Sequence, residues 1–129
     1  MNDTPSVSGS PKYLLRAEGL VALGLILVLY WHGGFSWLLF AVLFLAPDIS
    51  MLGYLKSPSI GALSYNAVHS YVGPVLLALV GVADDIRMCL TISLIWTAHI
   101  AFDRMLGYGL KYPTAFSDTH LGKIGRRAA

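Results

Sequence analysis

The sequence predicts an all-α membrane protein with four transmembrane helices. Three observations carry the prediction. Hydrophobic residues make up 56% of the 129 residues and charged residues only 12%, about half the charged share of an ordinary soluble domain. Mean hydropathy is +0.65, more apolar surface than a soluble chain this short can bury. The apolar runs are also long and lack period-two alternation, which excludes an outer-membrane barrel.

Residues 1–12 read as a disordered tail rich in Ser, Pro, Asn and Asp. Residues 13–125 form one four-helix domain, with spans at 13–31, 35–55, 60–83 and 86–106 and a tail over 107–129. Lys12 and Arg16 lead into the first apolar run. No small-x-small cleavage pattern follows it and more apolar segments do, so a retained helix is expected rather than a cleaved signal. His32-Gly33-Gly34 is a turn. The next run, Phe35 to Ala46, has 12 residues, about 18 Å of helix against about 30 Å of hydrocarbon. The second span must therefore continue past Pro47-Asp48, kinked or broken there, and backbone groups freed at that depth need protein partners. Ser57-Pro58 marks a loop before the third span, and Asp84-Asp85 a turn before the fourth. No soluble domain, internal repeat or strand pattern is visible.

Charge orients the bundle. With four spans, eight of the nine Lys and Arg residues, including Arg126 and Arg127, fall on the side of the two termini. Only Arg87 falls on the other. The positive-inside rule places both termini in the cytoplasm and the protein in the inner membrane. A net charge of +2 with no basic stripe argues against a nucleic-acid partner. The single cysteine, Cys89, allows neither an intrachain disulfide nor a CxxC metal site.

The informative residues are the ionisable ones within the spans. Asp48 lies about 10 Å from the cytoplasmic end of its span, His69 about 13 Å, His99 about 10 Å and Asp103 about 5 Å, at 1.5 Å per residue. Three spans thus carry ionisable groups at similar depth. Tyr65 and Asn66 share a face with His69, and His99 shares one with Asp103. Charges in lipid are costly, so these side chains should face inward and pair with each other, a metal or a substrate. Each also has a structural reading: His99 and Asp103 as a packing pair, Asp48 as a helix cap, Arg104 as a snorkelling cation, and Tyr54, Tyr65 and Tyr71 as interfacial aromatics. The sharper reading is a divalent metal centre, with zinc the natural occupant of a His/Asp set. His69, His99, Asp103 and Asp48 are its candidate ligands or acid–base groups. Asp118 and His120 from the tail are weaker candidates at the mouth, and Tyr65, Asn66, Tyr108 and Arg104 are supporting residues. No HExxH-type motif is present.

The strings APDISMLGY (46–54), YNAVHSY (65–71), AHIAFDRMLGYGLKYP (98–113) and FSDTHLGKIG (116–125) resemble a family of short bacterial membrane proteins, domain of unknown function 4260. The resemblance runs from about Leu20 to Gly125 and implies a multi-pass membrane protein without implying an activity. Its motifs fall on Asp48, Tyr54, Tyr65, Asn66, His69, His99, Asp103, Arg104, Tyr108, Lys111, Asp118 and His120. Ala101 stands where a small residue such as Gly is expected. A looser similarity is to membrane-bound metal-dependent hydrolases, which also set a Pro-Asp pair and histidines at helix ends; that is analogy. The leading expectation is a metal-dependent membrane hydrolase with a lipid-like small substrate, in a bilayer that also allows a homo-oligomer. The competing expectations are an assembly protein whose polar cluster locks the helices and a small proton-coupled transporter. The latter is disfavoured by the short chain and the lack of repeated halves.

Overall fold

A computed structural model describes residues 4–125; Arg126 and Arg127 lie outside them. The described chain is helical throughout its apolar part: α1 (Gly9–His32), α2 (Trp37–Leu43), a 3₁₀ segment (Ala46–Leu55), α3 (Pro58–His69), α4 (Val72–Ala83) and α5 (Arg87–Leu106). Three stretches are long and apolar enough to cross a membrane: Gly9–His32, Trp37–Leu55 and Pro58–Ala83. The fourth expected span, α5, is not among them. It has 20 residues, about 30 Å of helix, but its polar residues dilute its apolar character. They do so because α5 is the inner helix. It packs against α1, α4 and α2, and Thr91, Ser93, Ile95 and His99 are all buried. The other segments turn apolar side chains outward: Leu38, Leu55, Leu63 and Val82 are 72–87% exposed. Apolar outside and polar inside is the arrangement a bilayer favours.

The α1–α5 contact depends on small residues. A Cβ on Gly19 would stand 2.7 Å from the Met105 backbone nitrogen and 2.9 Å from the Ala101 carbonyl oxygen. Gly19 opposite the fully buried Ala101 lets the two backbones approach closely, as small residues do in membrane helix pairs.

Two segments depart from α-helix. Regular α2 stops at Leu43, and the chain continues as 3₁₀ helix from Ala46 with Pro47 in its first turn. The second departure was not expected: residues 60–83 read as one span, but Ser70 is extended (φ −93°, ψ 155°) and separates α3 from α4. Pro74 supplies the cause. It has no N–H to donate to the Ser70 carbonyl, so a helix through Ser70 would lose that bond, whereas in the first turn of α4 a proline costs little. α5 meets the groups freed at this break. Trp96 Nε1 donates to the Val68 carbonyl at 2.6 Å and an Arg104 guanidinium N–H to the His69 carbonyl at 3.1 Å.

The tail also differs from expectation. After Gly107, left-handed at φ 89°, caps α5, the chain makes a short hairpin of β1 (Asp118–Thr119) and β2 (Gly122–Lys123). Strands of two residues are too short to leave a period-two signal. The hairpin is held back on the bundle by Asn66, whose side-chain amide donates to the Lys111 carbonyl (2.8 Å) and accepts from the Lys111 N–H (2.7 Å).

Candidate metal centre

The four inner residues are delivered by three local features. Asp48 stands in the first turn of the 3₁₀ segment just after Pro47. His69 is the last residue of α3, at the break. His99 and Asp103 are one turn apart on α5. One ligand atom from each lies within 4.8 Å of every other. His69 Nε2 is 3.1 Å from His99 Nε2 and 3.3 Å from Asp48 Oδ1. His99 Nε2 is 3.1 Å from Asp48 Oδ1 and 3.2 Å from Asp103 Oδ2, and His69 Nε2 is 3.5 Å from Asp103 Oδ2.

The hydrogen bonds on the far sides of the two imidazoles set their tautomers. His69 Nδ1 lies 2.9 Å from the Tyr65 carbonyl oxygen and His99 Nδ1 lies 2.6 Å from the Phe44 carbonyl oxygen. A carbonyl only accepts, so both Nδ1 atoms carry the proton. In the neutral rings both Nε2 atoms then present bare lone pairs to one another and to two carboxylates. Four acceptors converge with no donor among them. Packing prevents the rings from turning away. Tyr65 stacks on His69 with ring centres 3.7 Å apart and planes 7° apart, and Phe44 meets His99 edge-on at 5.4 Å. Such a set is stable with a shared cation, whether protons on the rings or a metal ion. The five edges that involve a histidine, 3.1–3.5 Å, match the roughly 3.3 Å between ligands of tetrahedral zinc at 2.0–2.1 Å. An Nδ1–H donated to a backbone carbonyl is also the outer hydrogen bond that metal-bound histidines ordinarily make.

The two histidines are buried, while the Asp48 side chain is 36% exposed and that of Asp103 13%. Both carboxylates line a cavity of about 260 Å³ that also has Tyr65, Tyr108, Lys111 and Phe116 in its walls. Tyr65 and Tyr108 are therefore cavity residues. Asn66 acts on the tail and Arg104 on the His69 carbonyl. Asp118 and His120 do not join the four. Asp118 accepts from the Thr114 hydroxyl at 2.6 Å. His120 Nδ1 accepts from the Leu110 N–H at 2.9 Å, and its ring lines a second cavity with Glu18, Tyr71 and Arg104. Burial, and then the Arg104 guanidinium, hold His120 below the usual histidine range. The hairpin decides this outcome: Thr119 and Leu121 are buried and His120 alternates away from them.

The profile of a family described as a domain of unknown function, DUF4260, matches residues 12–124. The chain belongs to the DUF4260 family. The match covers the four inner residues, the Asn66 clamp and the hairpin of this DUF4260 chain. No curated protein and no solved structure matches it. Lys111 is the site residue that side-chain patterning missed: it reads as one more cytoplasmic cation. Its signal was its place in a long motif beside aromatic residues, GYGLKYP.

Proposed function

We propose that this protein binds a divalent cation, zinc by preference, through Asp48, His69, His99 and Asp103, and that it is a membrane hydrolase acting on a lipid-like substrate. The observation that supports this reading is the convergence of four acceptor atoms whose two histidines have already committed their N–H groups elsewhere. A bound divalent ion supplies Lewis acidity and lowers the pKa of coordinated water. The half-exposed Asp48 is the group best placed to yield to water or substrate and to handle a proton on the cavity side. Buried Tyr65 and part-buried Phe44 hold the imidazole planes, and Phe116 and Ile124 of the tail wall the cavity.

In this reading α5 is the fourth span, its polar face shielded by α1 and α4, and both termini are cytoplasmic in the inner membrane. Arg16 Nε donates to the Met105 carbonyl at the tail end of the bundle, while Arg87 donates to the Gly33 carbonyl at the opposite turn. That separation is consistent with the charge asymmetry of the sequence.

Metal analysis of the detergent-purified full chain tests the proposal. One equivalent of metal per chain is expected, lost in His99→Ala. A metal-free wild type that cannot be loaded with zinc, yet loses thermal stability in both His69→Ala and His99→Ala, would instead make the cluster a helix-packing lock.

A further inference from the structure

Lys111 is an unusual neighbour for the four-residue cluster. Its side chain is 4% exposed and lines the same cavity as Asp48 and Asp103. Among the described residues no carboxylate lies within the 4.0 Å of an ion pair with it. Its ammonium donates to the Phe116 carbonyl at 2.7 Å and sits over the rings of Phe116 (3.6 Å) and Tyr65 (4.6 Å). One of three N–H donors is thus used, and the aromatic faces hold the cation in place. The Asn66 clamp on both backbone groups of Lys111 fixes its position along the chain. A buried cation whose cavity carboxylates, Asp48 and Asp103, stand beyond ion-pair distance has donors free for a ligand of opposite sign.

The charge balance says when that ligand can bind. Asp48 and Asp103 contribute two negative charges and the neutral histidines none. Without a metal, the cavity with Lys111 carries one net negative charge, or none with a single proton shared between the rings, and does not attract an anion. With a divalent ion it carries one net positive charge and attracts one. We propose that the cavity binds a phosphate-type oxyanion between Lys111 and the metal-loaded cluster, and that the substrate is therefore a phosphate or phosphonate ester whose apolar part lies along Met51 and Phe116. This rests on the metal reading and names the substrate class for it. In the metal-free cavity, burial lowers the Lys111 ammonium to about 8, against the pull of Asp103 and Asp48.

The test uses methylphosphonate with the full chain in phosphatidylcholine nanodiscs. Zinc stoichiometry is measured on the same samples, so that failure of the metal reading is scored separately from failure of anion binding. In zinc-loaded wild type, methylphosphonate should bind saturably, at least tenfold more weakly after chelation, and at least tenfold more weakly in zinc-loaded Lys111→Met. Lys111→Arg should recover part of the affinity, and all three proteins should keep one zinc. Undiminished binding to Lys111→Met, equal binding with and without zinc, or no binding to protein that holds a full equivalent of zinc would each overturn the proposal. Protein that takes up no zinc overturns both readings. Phosphatidic acid in the nanodisc identifies the source of the anion: competition with methylphosphonate assigns a lipid headgroup, and competition by soluble phenyl phosphate alone assigns a soluble ester, both in support of the phosphate-type site.

Discussion

The two ends of this bundle bury their centres by opposite means. At the end near the Gly33 turn the centre is Tyr30, fully buried, with Phe35, Trp37 and Phe40 packed around it at ring distances of 4.8–5.2 Å. Its one polar atom is satisfied by the Ser36 carbonyl. The helix there, α1, runs unbroken. At the other end the centre is His69 and His99 with two carboxylates, and the segments delivering Asp48 and His69 are both interrupted. The aromatic end gains from area and needs little beyond shape complementarity. The polar end must satisfy freed carbonyls and like-natured ligand atoms, and it does so with Trp96, Arg104 and the imidazole Nδ1–H groups.

The largest effect expected separates the ends completely. His69→Ala should weaken zinc binding by at least about 100-fold, since a ligand should matter no less than the outer-shell partners whose loss costs 10–100-fold. Tyr30→Ala should leave zinc affinity unchanged, read by competition with a chromophoric chelator. Equal losses in both would mean that the ends are coupled and that the contrast is false. Next, Tyr30→Ala should cost about 3–5 kcal/mol of stability in detergent, the range for removing a large buried aromatic, measured by chemical denaturation.

Smaller effects sharpen the account of the broken helices. Trp96→Phe leaves the Val68 carbonyl without its donor and removes the outer indole atoms that lie against Gly73, and should cost about 1–3 kcal/mol. A cost under about 0.5 kcal/mol would mean that water reaches the break. Gly19→Val should cost about 1–3 kcal/mol by overpacking α1 on α5, read as a lowered unfolding midpoint.

A pH-dependent effect concerns Lys111 in chelator-treated protein. Its folded pKa, about 8, lies below the usual lysine value of 10.5, so between these values the unfolded chain binds more protons than the folded one. Stability must then rise with pH across that window. The groups facing Lys111 are Asp48 from the 3₁₀ segment, Asp103 from α5, Tyr65 from α3 and Tyr108 from the tail. Wild-type thermal stability should climb from pH 8 to 10 relative to Lys111→Met. Parallel curves would show that Lys111 is not buried as a cation.

Much of this was written in the chain. Composition and the length of the apolar runs determined a helical, membrane-suited protein, because those properties depend on transfer energies summed along a segment. Pro47 falls in the first turn of the 3₁₀ segment that follows α2. The His and Asp residues announced themselves because charge inside an apolar run has no cheap alternative to inward pairing. Pro74 carried the same message for Ser70, but a span of adequate length masked it.

Tertiary structure decided the rest. Whether Asp48, His69, His99 and Asp103 meet depends on the rotation of three segments about their axes, which close contacts such as Gly19 on Ala101 set and no single segment encodes. The histidine tautomers depend on the Tyr65 and Phe44 carbonyls lying behind the rings. The tail's contribution was decided by hairpin alternation and the Asn66 clamp, which turn Lys111 into the cavity and His120 out of it, although in sequence His120 was the better ligand. The four-residue cluster was thus legible as a set of residue types at one depth, while its geometry, its open side and its lysine came only from how the segments pack.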